Sequence, residues 1–439
     1  MKNVDTLIFA SWIVTVDEDY RELANHAIAV HDGRIFDILP AESARQQYQS
    51  EDVHQLDGQV LIPGFINAHT HASMSLFRGL ADDLPLMEWL QDHIWPAEGQ
   101  WVNEDFIHDG TQHAAAEMIR SGTTCFNDMY FYPDVTARVI DSVGMRASIG
   151  LILLDFPTVW ASDPDEYISK GLEVHDHYRS NTRITTTFAP HAPYTVSDIP
   201  LTRIETLAEE LDIPIHMHVH ETAFEVKQAI DQSGLRPLSR LNDKGLISPR
   251  MLAVHMTQLT DEEIEMLATN NTNVAHCPES NLKLASGYCP VHKLLQAGVN
   301  VALGTDGTAS NNDLDMIGEM RTAALLAKTV ADNASAASAH DVLRMATING
   351  ARALGLDNEI GSLEKGKSAD IVAVNMNTLE TQPMYNVVSQ LVYSTTRDQV
   401  SNVWVAGQQL LKNRVLTTLD EKEILNKAKT WHEKIKANA

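Results

Sequence analysis

The sequence is poor in cysteine and in basic residues. Its 439 residues include three cysteines, Cys125, Cys277 and Cys289, which is too few for a disulfide framework and is typical of a reducing cytoplasm. Lysine and arginine number 33 against 59 aspartates and glutamates, for a formal net charge of −26. Because nucleic-acid phosphates are bound mainly by lysine and arginine, this balance argues against a nucleic-acid partner and against a strongly anionic substrate.

Long apolar runs are also missing. No stretch reaches the roughly 18 apolar residues that a membrane-spanning helix needs, so we predict no membrane contact. Residues 7–16 are apolar enough to resemble the core of a signal peptide, but Asp17, Glu18 and Asp19 follow at once and no small-residue cleavage pattern is present. This arrangement favours a buried strand, and together with the cysteine usage it predicts a cytoplasmic protein.

Several common catalytic motifs are absent as well. His220-Glu221 is not followed by a second histidine at the spacing His-Glu-x-x-His, and no Pro-Cys-x-x-Cys accompanies a His-x-Glu. There is neither a phosphate-binding glycine loop nor a Gly-x-Ser-x-Gly elbow. These absences exclude the corresponding zinc peptidases, cytidine-type deaminases, P-loop proteins and serine hydrolases.

The two ends of the chain read as strands and the middle alternates between strands and helices. Short strand patterns occur at 6–16, 27–31, 34–39, 59–62, 371–374, 391–393 and 403–405, with hairpin signals at Asp32-Gly33 and Ala406-Gly407. We predict a small β-sandwich domain built from both termini, residues 1–62 and 364–439, the latter including an amphipathic helix at 419–437.

The middle predicts an α/β fold, a (β/α)8 TIM-like barrel over residues 63–363. Apolar strand patterns recur at 65–68, 123–128, 145–153, 184–190, 213–219, 251–255, 272–275 and 299–303, with helical patterns such as 105–121, 200–210, 260–268 and 291–297 between them. At or just after the end of every predicted strand except the third there are polar side chains that could bind a metal or transfer a proton: His69 and His71, Asn127 and Asp128, His191, His218 to Glu221, His255, His276, and Asp306. Because barrel active sites lie at this face, the pattern predicts an enzyme.

Two segments suggest a metal site but leave the ligands open. In Pro63-Gly-Phe-Ile-Asn-Ala-His69-Thr-His71 the two histidines lie two residues apart on a strand and point the same way, and imidazole is the commonest metal ligand. Strand five carries His216, His218 and His220, all of one parity, so alternation cannot choose among them. Asp306 follows strand eight directly and is either a helix cap or a ligand and base.

These segments resemble the amidohydrolase superfamily over nearly the whole chain. The resemblance rests on the Pro-Gly-Phe-Ile-Asn-Ala-His-Thr-His segment, the His-x-x-Glu of strand five, the lone histidine after strand six, Gly-Thr-Asp-Gly after strand eight, and Gly361-Ser-Leu-Glu-Lys-Gly-Lys-Ser-Ala-Asp370. Within the superfamily the chain is similar to the methylthioadenosine/S-adenosylhomocysteine deaminases.

The resemblance implies a metal site formed by His69, His71, His218 and Asp306, because the family places the strand-five ligand three residues before a glutamate, here Glu221. His216 and His220 then support the site or the fold. Two-metal relatives carry a carboxylated lysine on strand four, and residues 184–191 contain none, so we expect one Zn²⁺ per subunit. Iron could use the same ligands. Neither Cys125 nor Cys277 is expected to bind the metal.

The resemblance also implies the roles of the other site residues. Glu221 protonates the ring N1 and carries the proton to the leaving ammonia, Asp306 accepts the proton of the attacking water, and His255 hydrogen-bonds the attacking oxygen. Glu98 accepts both ribose hydroxyls and His191 meets the purine edge, so that substrate is bound by Glu98, His191, Glu221 and Asp306. His276 is left open between a supporting role and a substrate contact.

The implied reaction is the hydrolytic deamination of an adenine nucleoside at C6. Residues 147–169, which include the loop after strand three, contain no lysine or arginine, so the carboxylate of S-adenosylhomocysteine lacks a partner there. We therefore expect 5′-methylthioadenosine, converted to 5′-methylthioinosine, to be preferred over S-adenosylhomocysteine and adenosine; Arg78 is the obvious alternative source of a cation. The alternative enzymes are sister enzymes that act on guanine, an oxidised purine or an s-triazine. A metal-free scaffold protein without activity is the non-enzymatic alternative. A homodimer is expected by family only.

Overall fold

The computed structural model describes residues 1–437 and contains two eight-stranded sheets. The first sheet is parallel, and its strands pair in sequence order. We number them one to eight: Phe65–Thr70, Thr123–Tyr130, Arg146–Leu153, Ile184–Pro190, Ile215–Val219, Met251–His255, Asn273–His276 and Val301–Leu303. The backbone N–H of Asp306 donates to the carbonyl of His69 (3.0 Å), which joins the end of strand eight to the end of strand one. The predicted barrel is confirmed.

The barrel helices lie between these strands and around them. They span Glu104–Arg120, Pro133–Val143, Pro164–Tyr178, Asp198–Leu211, Ala223–Ser233, Pro237–Asp243, Asp261–Thr269, Pro278–Lys283, Val291–Gln296, Met316–Val330, Ala339–Met345 and Ile348–Ala353. The segment after strand one adds a 3-10 helix at Ala72–Phe77 and three short helical pieces, Leu86–Glu88, Trp89–Ile94 and Trp95–Trp101. All four helices predicted at 105–121, 200–210, 260–268 and 291–297 are present with slightly different ends.

Strand five begins later than its apolar pattern suggests. The pattern starts at residue 213, whereas the strand starts at Ile215. Pro214 has no N–H and cannot donate to a sheet ladder, although its carbonyl accepts a hydrogen bond from Phe188 (2.9 Å). The five residues of the strand are all buried, as expected for parallel strands covered on both faces.

The second sheet joins the two ends of the chain, as predicted. Its strands are Thr6–Val14, Glu22–His31, Arg34–Pro40, Asp52–Pro63, Ile371–Asn375, Val400–Val405, Gln408–Lys412 and Val415–Leu416. Asp52–Pro63 pairs in parallel with Thr6–Val14 and antiparallel with Ile371–Asn375, so it links the N-terminal and C-terminal halves of the sheet. Ile8, Ile28 and Trp404 meet in one buried cluster. Lys2–Asn3 and Tyr48–Gln49 form a separate two-stranded sheet, with the helix Ala41–Gln47 beside it.

Both predicted tight turns of this sheet are present. Asp32 and Gly33 have φ angles of 51° and 71°, and Ala406 and Gly407 have 47° and 76°. Two successive residues with positive φ form the turn that matches the twist of a two-residue hairpin. The terminal helix is also present, at Glu421–Lys436. The boundaries at 62/63 and 363/364 remain predictions.

One predicted strand is wrong. Residues 391–393 belong to a helix, Val387–Tyr393, whose N-cap Asn386 accepts a hydrogen bond from the N–H of Ser389 (2.7 Å). The buried side chains are Val387, Val388, Leu391 and Val392. This spacing marks one face of a helix, and a three-residue window is too short to distinguish it from a strand.

A buried ion pair connects the barrel to the second sheet. Arg146, the first residue of strand three, donates from Nε to Asp370 Oδ2 (3.0 Å) and from Nη2 to Ser368 Oγ (3.1 Å). Asp370 also accepts the backbone N–H of Ala406 (2.8 Å). This contact gives a structural role to the end of the Gly361-to-Asp370 motif.

Replacing Arg146 with alanine is expected to destabilise the protein by about 3 to 5 kcal/mol, because the buried Asp370 carboxylate loses its charged partner. The free energy of unfolding in urea, followed by tryptophan fluorescence, measures the loss. Arg250→Ala is the matched control, since Arg250 pairs with the exposed Asp212 and should cost less than about 1 kcal/mol. Similar losses in the two variants would contradict the role of the Arg146–Asp370 pair.

Within residues 1–437, none of the helices combines the length and the apolar character required to cross a membrane.

Candidate active site

Four side chains from distant parts of the sequence meet at the C-terminal end of the barrel. His69 lies near the end of strand one, His71 directly follows that strand, His218 lies on strand five, and Asp306 follows strand eight. Asp306 Oδ1 lies 3.2 Å from His69 Nε2 and 3.2 Å from His71 Nε2, and the Nε2 atoms of His69 and His218 are 3.2 Å apart. The four donor atoms all lie within 4.8 Å of one another. The structure therefore brings together the four predicted ligands.

Backbone carbonyls fix the tautomers of two of these histidines. His71 Nδ1 lies 2.6 Å from the carbonyl oxygen of Met129, and His218 Nδ1 lies 2.8 Å from that of His191. A carbonyl oxygen only accepts, so each ring carries a hydrogen on Nδ1, and Nε2 is the nitrogen that faces the centre of the cluster. Histidines that bind metals usually have such a partner on the second nitrogen.

The third histidine has an unusual partner. His69 Nδ1 lies 2.8 Å from Nε2 of the fully buried His216. Burial lowers the pKa of His69 to about 4 and that of His216 well below its usual value, so both rings are neutral. His216 thus supports a ring of the cluster, and His220, the remaining histidine of strand five, accepts the backbone N–H of Leu238 (3.3 Å). The supporting roles of His216 and His220 stay predictions.

The donor set fits zinc. Four ligands at zinc bond lengths of about 2.0–2.2 Å in a tetrahedron are about 3.3–3.6 Å apart, close to the 3.2 Å separations seen here. Burial would raise the pKa of Asp306, but hydrogen bonds from His69 and His71 hold that pKa well below its ordinary value. The cluster therefore offers three imidazole nitrogens and one ionised carboxylate.

Two serines hold the other oxygen of Asp306. Ser280 Oγ donates to Asp306 Oδ2 at 2.6 Å and Ser310 Oγ at 3.0 Å, while Oδ1 faces the histidines. The carboxylate thus has one oxygen for the cluster and one oxygen fixed by hydroxyl donors. These serines were not predicted from the sequence, because Ser280, in the short helix Pro278–Lys283, and Ser310, in a loop, stand in no distinctive periodic or spacing pattern.

Glu221 lies beside His255 at the edge of the cluster. Glu221 Oε2 is 3.8 Å from His255 Nε2, and His255 Nδ1 is 2.8 Å from Asn281 Oδ1. Burial raises the pKa of Glu221, which favours the protonated carboxylic acid. Glu225 accepts the backbone N–H groups of His220 (3.2 Å) and Glu221 (2.8 Å) and so fixes the loop that carries Glu221. Neither Asn281 nor Glu225 was identified from the sequence.

Glu98 and His191 line the same cavity. Glu98 belongs to the helix Trp95–Trp101, and its Oε1 accepts a hydrogen bond from the hydroxyl of Tyr130 (2.7 Å). Burial raises the pKa of Glu98 to about 7, although the Tyr130 bond acts in the opposite direction. His191 Nδ1 lies 3.0 Å from Thr195 Oγ1, and burial lowers the pKa of His191 to about 3. His191 is therefore a neutral ring that can exchange hydrogen bonds with a ligand.

The cavity has a volume of about 260 Å³ and is mostly apolar away from the histidines. The loop after strand three contributes Phe156 and Val159, and the helical segment before Glu98 contributes Trp89 and Trp95. Among the described residues that line the cavity there is no lysine or arginine. Arg78 is held elsewhere, by the Glu117 carboxylate and by the carbonyl of Asn312 (2.8 Å).

His276 takes no part in the lining. Its side chain is 1 % exposed, and its Nδ1 has no hydrogen-bond partner among the described residues. His276 is not among the residues that form the cavity wall. Of the two alternatives left open by the sequence, the structure favours a buried supporting position over a substrate contact.

Known proteins are similar to this chain over nearly its whole length. The model of the amidohydrolase family matches residues 60–410. A 5-methylthioadenosine/S-adenosylhomocysteine deaminase of Saccharophagus degradans is 54% identical over 433 residues, which cover 99% of this chain and 97% of that protein. A 5′-deoxyadenosine deaminase of Methanosarcina acetivorans is 41% identical, with 99% of each chain covered. The crystal structure of an adenosine deaminase from Xanthomonas campestris with bound zinc has a TM-score of 0.98 and 50% identity, with 99% of each chain covered.

Proposed function

The chain belongs to the amidohydrolase family, and from this premise we propose that it is a metal-dependent deaminase of adenine nucleosides. The reaction is hydrolytic removal of the 6-amino group as ammonia, and the preferred substrate is 5′-methylthioadenosine, converted to 5′-methylthioinosine. The observation that carries this proposal is one cavity in which Glu221 adjoins the His-His-His-Asp cluster and Glu98 lies among apolar side chains. The names of the relatives point to the same chemistry.

In this proposal His69, His71, His218 and Asp306 hold one Zn²⁺ per subunit, and iron would suit the same donors. Strand four, Ile184–Pro190, has no lysine that could bridge a second ion. A divalent metal held here supplies Lewis acidity, which makes a water molecule a stronger nucleophile near neutral pH. Because protons compete with a metal for the Nε2 atoms of the histidines, the affinity for the metal should fall in acid.

The chain's own residues move the protons. Asp306 accepts a proton from the attacking water, and the hydroxyls of Ser280 and Ser310 keep its carboxylate oriented for this step. Glu221, whose pKa is raised by burial, gives a proton to ring N1 as water adds to C6. The proton taken from water then passes by way of Glu221 to the amino group, and the C6–N bond breaks as ammonia leaves. The proton of the added hydroxyl returns to Glu221 as the C6 carbonyl forms. His255 lies next to Glu221 and hydrogen-bonds the attacking oxygen.

The rest of the cavity binds the nucleoside. Glu98 accepts the ribose hydroxyls, because a carboxylate with two oxygens suits a vicinal diol. The neutral His191 meets the purine edge. The subunit is proposed to act on this small molecule in the cytoplasm, consistent with three buried free cysteines; a homodimer remains a family-level prediction.

An ammonia-release assay with metal analysis of the same sample tests the proposed function. The panel is 5′-methylthioadenosine, adenosine, guanine and an s-triazine, and we expect turnover of the two nucleosides together with one zinc or iron per chain. Guanine or the triazine as the better substrate would support the sister enzymes instead. Nucleoside turnover by protein from which a chelator has removed all metal would contradict the metal assignment.

The apolar wall predicts discrimination at the 5′ end of the substrate. We expect kcat/KM for 5′-methylthioadenosine to exceed that for S-adenosylhomocysteine by at least about tenfold, since burying the larger molecule's charged tail without a partner costs more than about 1.4 kcal/mol. Steady-state kinetics with both substrates checks this ratio. S-adenosylhomocysteine as the better substrate would contradict it.

Phe156→Arg should reduce the ratio of kcat/KM for 5′-methylthioadenosine to that for S-adenosylhomocysteine. The change places a cation in the loop after strand three, at a side chain that is 41% exposed. The matched control is Phe224→Arg, since Phe224 is similarly exposed at 54% and does not line the cavity. The control variant should keep the wild-type ratio. An equal change in both variants would mean that long-range charge, and not contact with the tail, sets the ratio.

A further inference from the structure

Glu98 has one hydrogen-bond donor among the described residues, the hydroxyl of Tyr130 at 2.7 Å. Glu98 is partly buried, and no described lysine or arginine lies within ion-pair distance of it. An ionised carboxylate has about four lone-pair sites on its two oxygens, so Glu98 is left with acceptor capacity inside a cavity whose nearby wall is apolar. Because Glu98 is partly buried and lines the cavity, a ligand that carries hydroxyl donors can fill these acceptor sites.

Tyr130 is a rigid part of the barrel. It is the last residue of strand two and only 5% exposed. Its neighbour Met129 holds the ring of His71 through its carbonyl oxygen at 2.6 Å. One strand end therefore positions both a side chain of the His-His-His-Asp cluster and the carboxylate at the other side of the cavity.

The direction of the Tyr130–Glu98 bond is fixed. Burial raises the pKa of Tyr130 well above its ordinary value, so the phenol stays protonated and donates to Glu98 Oε1. Burial works against the ionised form of Glu98, while the donated hydrogen bond supports it. A carboxylate that is ionised and held in one orientation accepts two adjacent hydroxyls better than a carboxylic acid, which offers fewer acceptor sites.

We propose that Tyr130 is a positioning residue that makes the cavity select nucleosides with a ribose diol over nucleosides without one. This inference rests on the proposed function, because it places a nucleoside in the cavity with its sugar at Glu98. The hydroxyl of Tyr130 does not touch the substrate; it fixes the carboxylate that does. The 2′ and 3′ hydroxyls then complete the set of donors around Glu98.

The test compares adenosine with 2′,3′-dideoxyadenosine in the wild type and in Tyr130→Phe. In the wild type, kcat/KM should favour adenosine by at least about 100-fold, since a site built to bind hydroxyls discriminates strongly against analogues that lack them. In Tyr130→Phe, KM for adenosine should rise about 10- to 100-fold, the value of a hydrogen bond to a charged group, with kcat within about threefold. The constants for dideoxyadenosine should stay within about twofold.

Tyr48→Phe is the matched control. Tyr48 lies in the two-stranded sheet, away from the cavity, and also donates to a carboxylate at 2.7 Å, that of Asp37 in the second sheet. Its removal should leave the kinetic constants for both substrates unchanged. Metal content and the thermal unfolding temperature, measured on each variant, distinguish loss of the diol contact from loss of the fold or of the cluster.

A double-mutant cycle with Glu98→Gln gives a second readout. If Tyr130 acts through Glu98, Tyr130→Phe should have little further effect on the KM of adenosine in the Glu98→Gln background. Full additivity of the two changes would overturn the inference. Equal losses on adenosine and dideoxyadenosine in Tyr130→Phe, or a wild type that does not distinguish the two substrates, would overturn it as well and leave the proposed deamination intact. A wild type that deaminates no nucleoside would overturn both.

Discussion

Replacing Glu221 with glutamine is expected to lower kcat for nucleoside deamination by about 10²- to 10⁴-fold, the usual contribution of a general acid–base group. Glutamine has nearly the same shape but cannot give a proton to ring N1 or carry one to the departing amine. The backbone contacts from Glu225 to residues 220 and 221 do not involve the Glu221 side chain, so the loop should keep its conformation. Substrate KM and metal content should change little.

Steady-state kinetics and metal analysis of Glu221→Gln, with Glu265→Gln as control, measure this effect. Glu265 is an exposed glutamate on the helix Asp261–Thr269, and its replacement should be silent. Loss of metal in Glu221→Gln would point to a structural effect. A kcat within about tenfold of the wild type would show that another group supplies the proton, and the neighbouring His255, 3.8 Å away, would be the first candidate.

Asp306 should give a comparably large effect, because we assign it two tasks. In Asp306→Asn the amide oxygen can still reach the cluster, but a neutral amide is a poor proton acceptor. We expect kcat to fall by about 10³-fold or more, while some metal binding is retained. In Asp306→Ala the ligand atom is gone as well, and both metal binding and activity should be lost.

Chelator competition for bound zinc, measured beside kcat in both variants, separates the two tasks. Equal metal affinity in Asp306→Ala and the wild type would remove Asp306 from the ligand set. Near-normal kcat in Asp306→Asn with bound metal would remove it from the proton transfer. Ser310→Ala is a milder comparison, since it takes away one of the two hydroxyls on Oδ2 and should lower kcat without displacing the metal.

Much of the fold could be predicted because the barrel strands are recognisable in the sequence as apolar segments that recur between helical patterns. The end of each strand could also be located, and in a parallel barrel all such ends lie at one face. For that reason His69, His218 and Asp306 could be expected to meet although more than 80 residues separate successive members of this set. The choice of His218 among three histidines of one parity required the family resemblance.

The contacts that orient these groups could not be predicted. The carbonyls of Met129 and His191 carry no sequence signal, because every residue has one. Ser280 and Tyr130 are common residues in segments with no distinctive spacing, and only the packing of several strand ends brings them to a carboxylate. The helix Val387–Tyr393 was predicted as a strand at 391–393, because three apolar residues are too few to distinguish a helix from a strand.

The use of main-chain oxygens to hold His71 and His218 has a consequence for redesign. Met129 contributes a carbonyl to His71 and also lines the cavity, yet its side chain is not the part that holds the ring. A library of apolar residues at position 129 could therefore reshape the binding pocket while the imidazole keeps its anchor. Altered substrate scope should be easier to obtain there than at Tyr130, where the side chain itself makes the contact.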